Sequence, residues 1–271
     1  MNHPQIAAFA RLAKENTLPV RALEGQKTLI SRTMHSLAYD SIHDEIVVNS
    51  PLAQAVLIFR GGANGEEAPI RVIQGPHTEI QGTDYDGNDQ MAFDEIHGEI
   101  YLPVAGNKIL VFSREANGDA PPLRVLGGPD TQIRGTARGH ARVGVDPVHN
   151  LLLVPVNEYS NTSQALNESK ILIFDRTATG NTKPRAIMRG ARIGTIYAPK
   201  KRLIDHRKGY LEIWNIPDTG EVAQPIMRIS APLEPRDSGG VMTLDPGHKE
   251  VIIATAAGNT IKTFYVPEVF D

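Results

Sequence analysis

The sequence of 271 residues contains no cysteine, no long apolar run and little net charge. Without cysteine there is no disulfide, thiol nucleophile or thiolate metal site. The net charge of −3 gives no electrostatic footprint for nucleic acid or an anionic membrane surface. No stretch approaches the ~20 apolar residues of a membrane span, and the first residues lack the regions of a signal peptide. We therefore expect a soluble protein, cytoplasmic or secreted with its leader removed, that does not bind nucleic acid.

A segment of strand, Gly-rich turn, strand and exit turn covers residues 56–80 and returns, 53 residues on, over 110–133. The coinciding positions include Phe59 with Phe112, Gly65 with Gly118, and Gly75 with Gly128. A repeat with this period indicates the architecture of the protein, but it does not indicate its chemistry.

A second element, two strands around a tight turn, recurs at 37–48, 91–102, 143–154 and 242–253. We read a looser copy at 193–204 as carrying two extra turn residues. Each repeat unit then has four short strands, A to D from the inside outward. Repeat units of about 40–50 residues with four antiparallel strands are typical of propeller blades.

The sequence therefore predicts an all-β, five-bladed β-propeller of four-stranded antiparallel blades in one domain over 1–271. The blades run over about 34–80, 88–133, 140–190, 192–232 and 239–266. The fifth blade ends after its third strand, and we expect residues 18–25 to supply the outer strand and close the edge. A six-bladed alternative stays open, because residues 4–15, which also suit a short helix, align with the repeat and put Phe9 at a third-strand position.

The pattern of Ile/Val-x-Phe, Ala-x-Gly-x-x-x-Pro-x-Arg, Gly-x-x-Thr and Ala-x-Asp resembles the NHL- or YVTN-type propeller repeats of bacterial proteins. The resemblance covers nearly the whole chain and implies the propeller fold. It implies little about activity, since such propellers include lyases, lactone-type hydrolases and binding modules.

Four histidines recur at one position of the A–B turn, each three residues after an aspartate: His43, His97, His149 and His248. A single site would not be copied into four blades. We therefore interpret these histidines as local turn contacts and not as metal ligands.

The D–A connections differ from blade to blade, whereas the A–B and C–D turns repeat. Turns that repeat in every blade serve the scaffold, whereas a functional site needs residues that differ between blades. We therefore expect the functional site on the face that carries the D–A connections, at the mouth of the central channel. The ligand-binding candidates there are Arg32, Asp89, Arg138, Arg236 and Asp237. The catalytic candidates are His35, His140, Arg142 and Arg192. Their charges alternate in sign, so ion pairs across the mouth are an open alternative.

The segment 84–89 spaces oxygen ligands two residues apart, as at the start of a Ca²⁺ loop, although it lacks the usual glycine. The metal candidates are Asp84, Asp86 and Asn88, with a plain Asx turn as the alternative. His35 and His140 with a carboxylate would suit a His-ligated ion, or would act as acid and base beside an arginine. The cofactor stays open between none and a divalent metal, calcium or a His-ligated ion.

Two functions follow. The first is a binding or scaffold module that holds a small molecule, ion or peptide at the channel mouth. The second is a lyase or hydrolase with a metal- or His/Arg-assisted site on the same face. The absence of a complete catalytic motif favours the first, and the sequence leaves open whether the protein is an enzyme.

Overall fold

A computed structural model of the chain describes residues 5–31, 34, 36–81, 90–134, 143–159, 166–233, 240–255, 258 and 260–271. The fold is all-β, a five-bladed β-propeller of mostly four-stranded antiparallel blades, as the repeat predicted. No helix among these residues is long and apolar enough to cross a membrane. The described residues group into two compact units.

The first unit holds residues up to 128 and the turn at 179–181. It begins with a two-stranded sheet of β1 (Gln5–Ala8) and β2 (Arg21–Glu24). Blade 1 consists of β3 (Ser36–Asp40), β4 (Glu45–Ser50), β5 (Ala55–Arg60) and β6 (Arg71–Ile73). Blade 2 consists of β7 (Ala92–Asp94), β8 (Glu99–Val104), β9 (Lys108–Ser113) and β10 (Arg124–Gly127). Their apolar side chains pack into cores centred on fully buried phenylalanines, Phe59 and Phe112.

The second unit holds the other three blades. Blade 3 consists of β11 (Gly144–Asp146), β12 (Leu151–Tyr159), β13 (Leu166–Asp175) and β14 (Ala186–Arg189). Blade 4 consists of β15 (Thr195–Tyr197), β16 (Arg202–Arg207), β17 (Tyr210–Asn215) and, after β18 (Gly220–Val222), β19 (Met227–Ser230). Blade 5 consists of β20 (Gly240–Asp245), β21 (Glu250–Thr255) and β22 (Thr260–Tyr265), followed by the short helix α1 (Pro267–Phe270).

The Ala-x-Gly element of the repeat joins successive blades. Gly118 donates its N–H to the carbonyl of Val72 at 2.6 Å and accepts from the N–H of Gln74 at 2.9 Å. Gly65 and Gly180 make the same bridge, and β18 extends it to a parallel pairing with β14. The turn requires φ of +64° at Gly118, which glycine adopts without steric cost. These bonds occupy backbone groups of an outer strand that would otherwise form a free edge.

The N-terminal residues follow the repeat. Residues 5–8 form a strand, as their alignment with the repeat indicated, and the alternative of a short helix is wrong. Residues 21–24 form a strand, as predicted, and pair with β1. Leu23 bridges to Gly65, as Ile73 bridges to Gly118, so β2 takes the position of an outer strand before blade 1. Among the described residues the sheet of blade 5 has three strands, and the predicted completion of that blade by residues 18–25 stays a prediction.

Candidate functional site

Of the site residues predicted from the sequence, Arg192 alone lies within the described residues. It is exposed in the connection between β14 and β15. The others lie outside the described residues and stay predictions: Arg32, His35, Asp84, Asp86, Asn88, Asp89, Arg138, His140, Arg142, Arg236 and Asp237. In the part of the chain that the structure describes, no three His, Asp or Glu side chains gather closely enough to hold a metal ion.

The turn histidines contact their own turns, as predicted. His97 Nδ1 lies 2.8 Å from Asp94 Oδ2, and the other Asp oxygen accepts the backbone N–H of His97 at 2.9 Å. The same contact occurs in three more turns, in the pairs His43–Asp40, His149–Asp146 and His248–Asp245. Each histidine therefore has its contact within its own turn, as expected of a repeated structural feature.

Blade 4 carries two carboxyl groups at positions where blades 1, 2 and 3 carry aliphatic side chains. Asp205 on β16 pairs directly across the sheet with Glu212 on β17. The blades can be compared by counting from the first residue of each B strand that pairs with the A strand. Asp205 is the third residue after Arg202, which is that first residue in blade 4. The pairs at this position in blades 1, 2, 3 and 5 are Val48–Leu57, Leu102–Leu110, Val154–Leu172 and Ile253–Lys262. The substitution is thus particular to blade 4 among the five described blades.

The polar row continues onto the outer strand. Arg228 on β19 pairs with Glu212, and its Nη2 lies 2.9 Å from Glu212 Oε1. The residues at the Arg228 position in the first three blades are Val72, Val125 and Ile187. An Asp–Glu–Arg row thus replaces a row of three aliphatic side chains. We call this row, together with Arg192 and Arg207, the blade-4 polar cluster.

Asp205 is the unusual member of the cluster. Its residue is only 6% exposed, and in the described part of the chain its Oδ2 has no hydrogen-bond partner. Burial raises the pKa of this carboxyl to about 7, assisted by the charge of Glu212 and opposed by Arg192, Arg207 and the His206 N–H. At neutral pH the group is therefore divided between its two forms, and it can donate or accept a proton.

Two neighbouring features hold the chain close to Asp205. A Cβ on Gly194 would lie 2.0 Å from the carbonyl oxygen of Ile204 and 3.0 Å from Cα of Asp205, so only glycine permits this approach. Arg207 donates to the carbonyl of Gly190 at 3.3 Å. The segment that carries Arg192 is therefore tied to β16 at both of its ends. This is a D–A connection, the class of connection in which the sequence predicted a site.

A second buried polar group lies on the same side of blade 4. Trp214 pairs with Leu203, which is two residues from Asp205, so its side chain projects to the same side of the sheet as Glu212 and Asp205. It occupies the position of Phe59, Phe112 and Phe174 in the other blades. Its indole N–H is buried and, among the described residues, finds no acceptor. Blade 4 thus holds an unmatched donor and an unmatched carboxyl oxygen where other blades hold hydrocarbon.

The sequence reading missed Asp205 because it misplaced the turn of this blade. Tyr197 pairs with Arg202 across four residues, as Asp40 pairs with Glu45, so the predicted two extra turn residues are wrong. The turn looked irregular because Tyr197 replaces the usual aspartate. With the correct turn length, the aliphatic column of the B strands reads Val, Leu, Val, Asp, Ile, and Asp205 stands out from the sequence alone.

Comparisons with known proteins support the fold. No family model matches the chain, and no curated protein matches it. Among solved structures, the chain is similar to the β-propeller domain of Cps50 (Swd1) from Myceliophteria thermophila, with a TM-score of 0.51 and 13% identity. The match covers 87% of this chain and 66% of that one, just under two thirds of its length. At 13% identity the similarity supports the fold only, and it identifies the chain as a β-propeller.

Proposed function

We propose that this protein is a β-propeller scaffold that binds a small molecule at the D–A face, where Asp205 and Arg192 contact the ligand. The observation that carries the proposal is the buried Asp205 carboxyl, whose Oδ2 has no hydrogen-bond partner among the described residues and which stands at a position that is aliphatic in the other four blades. A desolvated carboxyl without a partner destabilises a fold. Such a group is expected where function needs it, since functional sites tolerate local instability.

The mouth residues predicted from the sequence belong to the same proposal. We propose catalytic roles for His35, His140 and Arg142 and ligand-binding roles for Arg32, Asp89, Arg138, Arg236 and Asp237, each in its own D–A connection. A divalent ion at Asp84, Asp86 and Asn88 is a further part of it. We also propose that residues 1–271 act as one domain related to NHL- or YVTN-type bacterial propellers, which predicts a single unfolding transition by both calorimetry and circular dichroism.

The test is a thermal-shift screen of small polar compounds and divalent ions on the wild type and on Asp205→Val. Valine is the residue at this position in blades 1 and 3, so the variant should fold. We expect at least one compound to stabilise the wild type and not the variant. Asp218→Asn is the matched control, because it removes a carboxylate from an exposed side chain in the same blade. A compound that stabilises wild type and Asp205→Val equally would place the ligand elsewhere.

A lyase or hydrolase is the second candidate function, and the environment of Asp205 favours it. The pKa of about 7 suits a group that takes and returns a proton at neutral pH. Glu212, by contrast, is charge-paired with Arg228. Two carboxyl groups in such different surroundings can take different roles, with Arg192 placed to stabilise developing negative charge. Turnover of lactones or hydroxy acids should then vanish in Asp205→Asn while folding is retained.

A further inference from the structure

The charges of the blade-4 polar cluster are unequal. Three arginines, Arg192, Arg207 and Arg228, face two carboxyl groups. Glu212 is paired with Arg228, and Arg207 donates to the carbonyl of Gly190. Arg192 is exposed, and within the described residues no hydrogen bond or close ion pair engages its guanidinium. The site therefore offers one uncommitted cation beside one uncommitted carboxyl.

We propose that this site takes a small carboxylic acid in its anionic form, which shares a proton with Asp205 and forms an ion pair with Arg192. The inference rests on the proposed function and names the ligand class for the same site. An anion is favoured over a cation because Arg192 and Arg207 both repel a cation, whereas Asp205 in its neutral form does not repel an anion.

The shared proton explains why a carboxyl group, and not an amide or another arginine, occupies this position. A protonated carboxyl that donates to a carboxylate forms a short charge-assisted O–H···O⁻ bond, stronger than one between neutral groups. Asp205 can supply the proton because its burial and the neighbouring Glu212 favour the neutral form. No covalent step is needed, and the proton stays between the two carboxyl groups.

Binding should therefore be linked to pH. The charged groups facing Asp205 are Arg192 from the preceding connection, Glu212 from β17, Arg207 from its own strand, and Arg228 beyond Glu212. The imidazole of His206 on the same strand lies 2.8 Å from the carbonyl of Ala231 through Nε2. Below about pH 7 Asp205 already carries its proton and affinity is constant; above it affinity falls, by up to tenfold per pH unit.

The experiment is a calorimetric titration of the full chain with four probes, acetate, succinate, ethylammonium and glycerol, between pH 6 and 9. We expect the carboxylates to bind, with proton uptake above pH 7 shown by two buffers of different ionisation enthalpy. Asp205→Asn keeps a hydrogen-bond donor, so it should bind the carboxylates with no pH slope. Arg192→Gln should lose at least about tenfold in affinity and keep the slope, as one ion pair is removed.

The outcomes separate this inference from the proposed function. Binding of ethylammonium or glycerol that Asp205→Val abolishes, without carboxylate binding, would overturn the ligand class and leave the site intact. Carboxylate binding with no pH slope in the wild type would overturn the shared proton. If neither these probes nor the wider screen stabilises the wild type, both proposals are wrong. Asp218→Asn should match the wild type throughout.

Discussion

Replacing Asp205 with asparagine should change how the stability of the protein depends on pH. Burial raises the pKa of this carboxyl from 3.8 to about 7 in the folded state. Because the folded pKa is raised, the stability linked to its proton is fully present below pH 3.8 and is lost as pH rises through 7. The full shift corresponds to about 4 kcal/mol, of which about 3 kcal/mol falls between pH 5 and pH 8. Asparagine does not titrate, so the variant lacks this loss.

Urea unfolding of wild type and Asp205→Asn at pH 5, 6, 7 and 8 measures the effect. Between pH 5 and pH 8 the free energy of unfolding of the variant should rise by roughly 3 kcal/mol relative to that of the wild type. This change does not depend on how stable the variant is at pH 5. Asp218→Asn is the control: its hydrogen bond with Lys201 lowers the pKa of Asp218, so any loss lies at more acidic pH. If the difference in unfolding free energy between wild type and Asp205→Asn stays constant from pH 5 to 8, the conclusion that burial raises the pKa of Asp205 is wrong.

Two further predictions concern the scaffold. His97→Ala should lower the free energy of unfolding by about 0.5–2 kcal/mol, by losing its contact with Asp94, and should leave ligand-induced stabilisation unchanged; a loss of ligand response at unchanged stability would contradict the structural role. Gly118→Ala should cost about 1–2 kcal/mol through its left-handed backbone, because no atom lies within 4 Å of the added Cβ. Gly118→Asn should cost less in the same urea assay, and equal losses would mean that sterics and not φ limit the position.

The fold followed from the sequence because propeller repeats make the same local choices several times. The Phe59 and Phe112 positions, the Ala-x-Gly turns and the Asp–His turns each recur with a constant spacing. Several weak signals agreeing in every copy identify blades better than any one propensity does. The turn histidines were interpreted correctly for the same reason, since a feature copied around the fold serves the fold.

The candidate site could not be read as easily, because a site is where a repeat departs from itself. Asp205 and Glu212 lie in the blade whose turn lacks the Asp–His pair, so the marker that aligns the other copies is missing there. The burial that raises the pKa of Asp205 is a property of the folded chain and cannot be read from the residue type. The outer-strand character of residues 21–24 was predictable from the repeat, whereas their pairing with β1 and the bridge to Gly65 arise only in the folded chain.

The most direct test of the central claim is the stability and ligand response of Asp205→Val/Glu212→Leu/Arg228→Val, which restores the aliphatic row of blade 1. Asp205 and Glu212 are buried, and replacing such groups with packed hydrocarbon is often neutral or stabilising by about 1–4 kcal/mol. If the cluster is there to bind a ligand, the triple variant should be at least as stable as the wild type at pH 7 and lose all ligand-induced stabilisation. A triple variant that is clearly less stable, or that still responds to the ligand, would mean that the cluster supports the fold and that the site lies elsewhere.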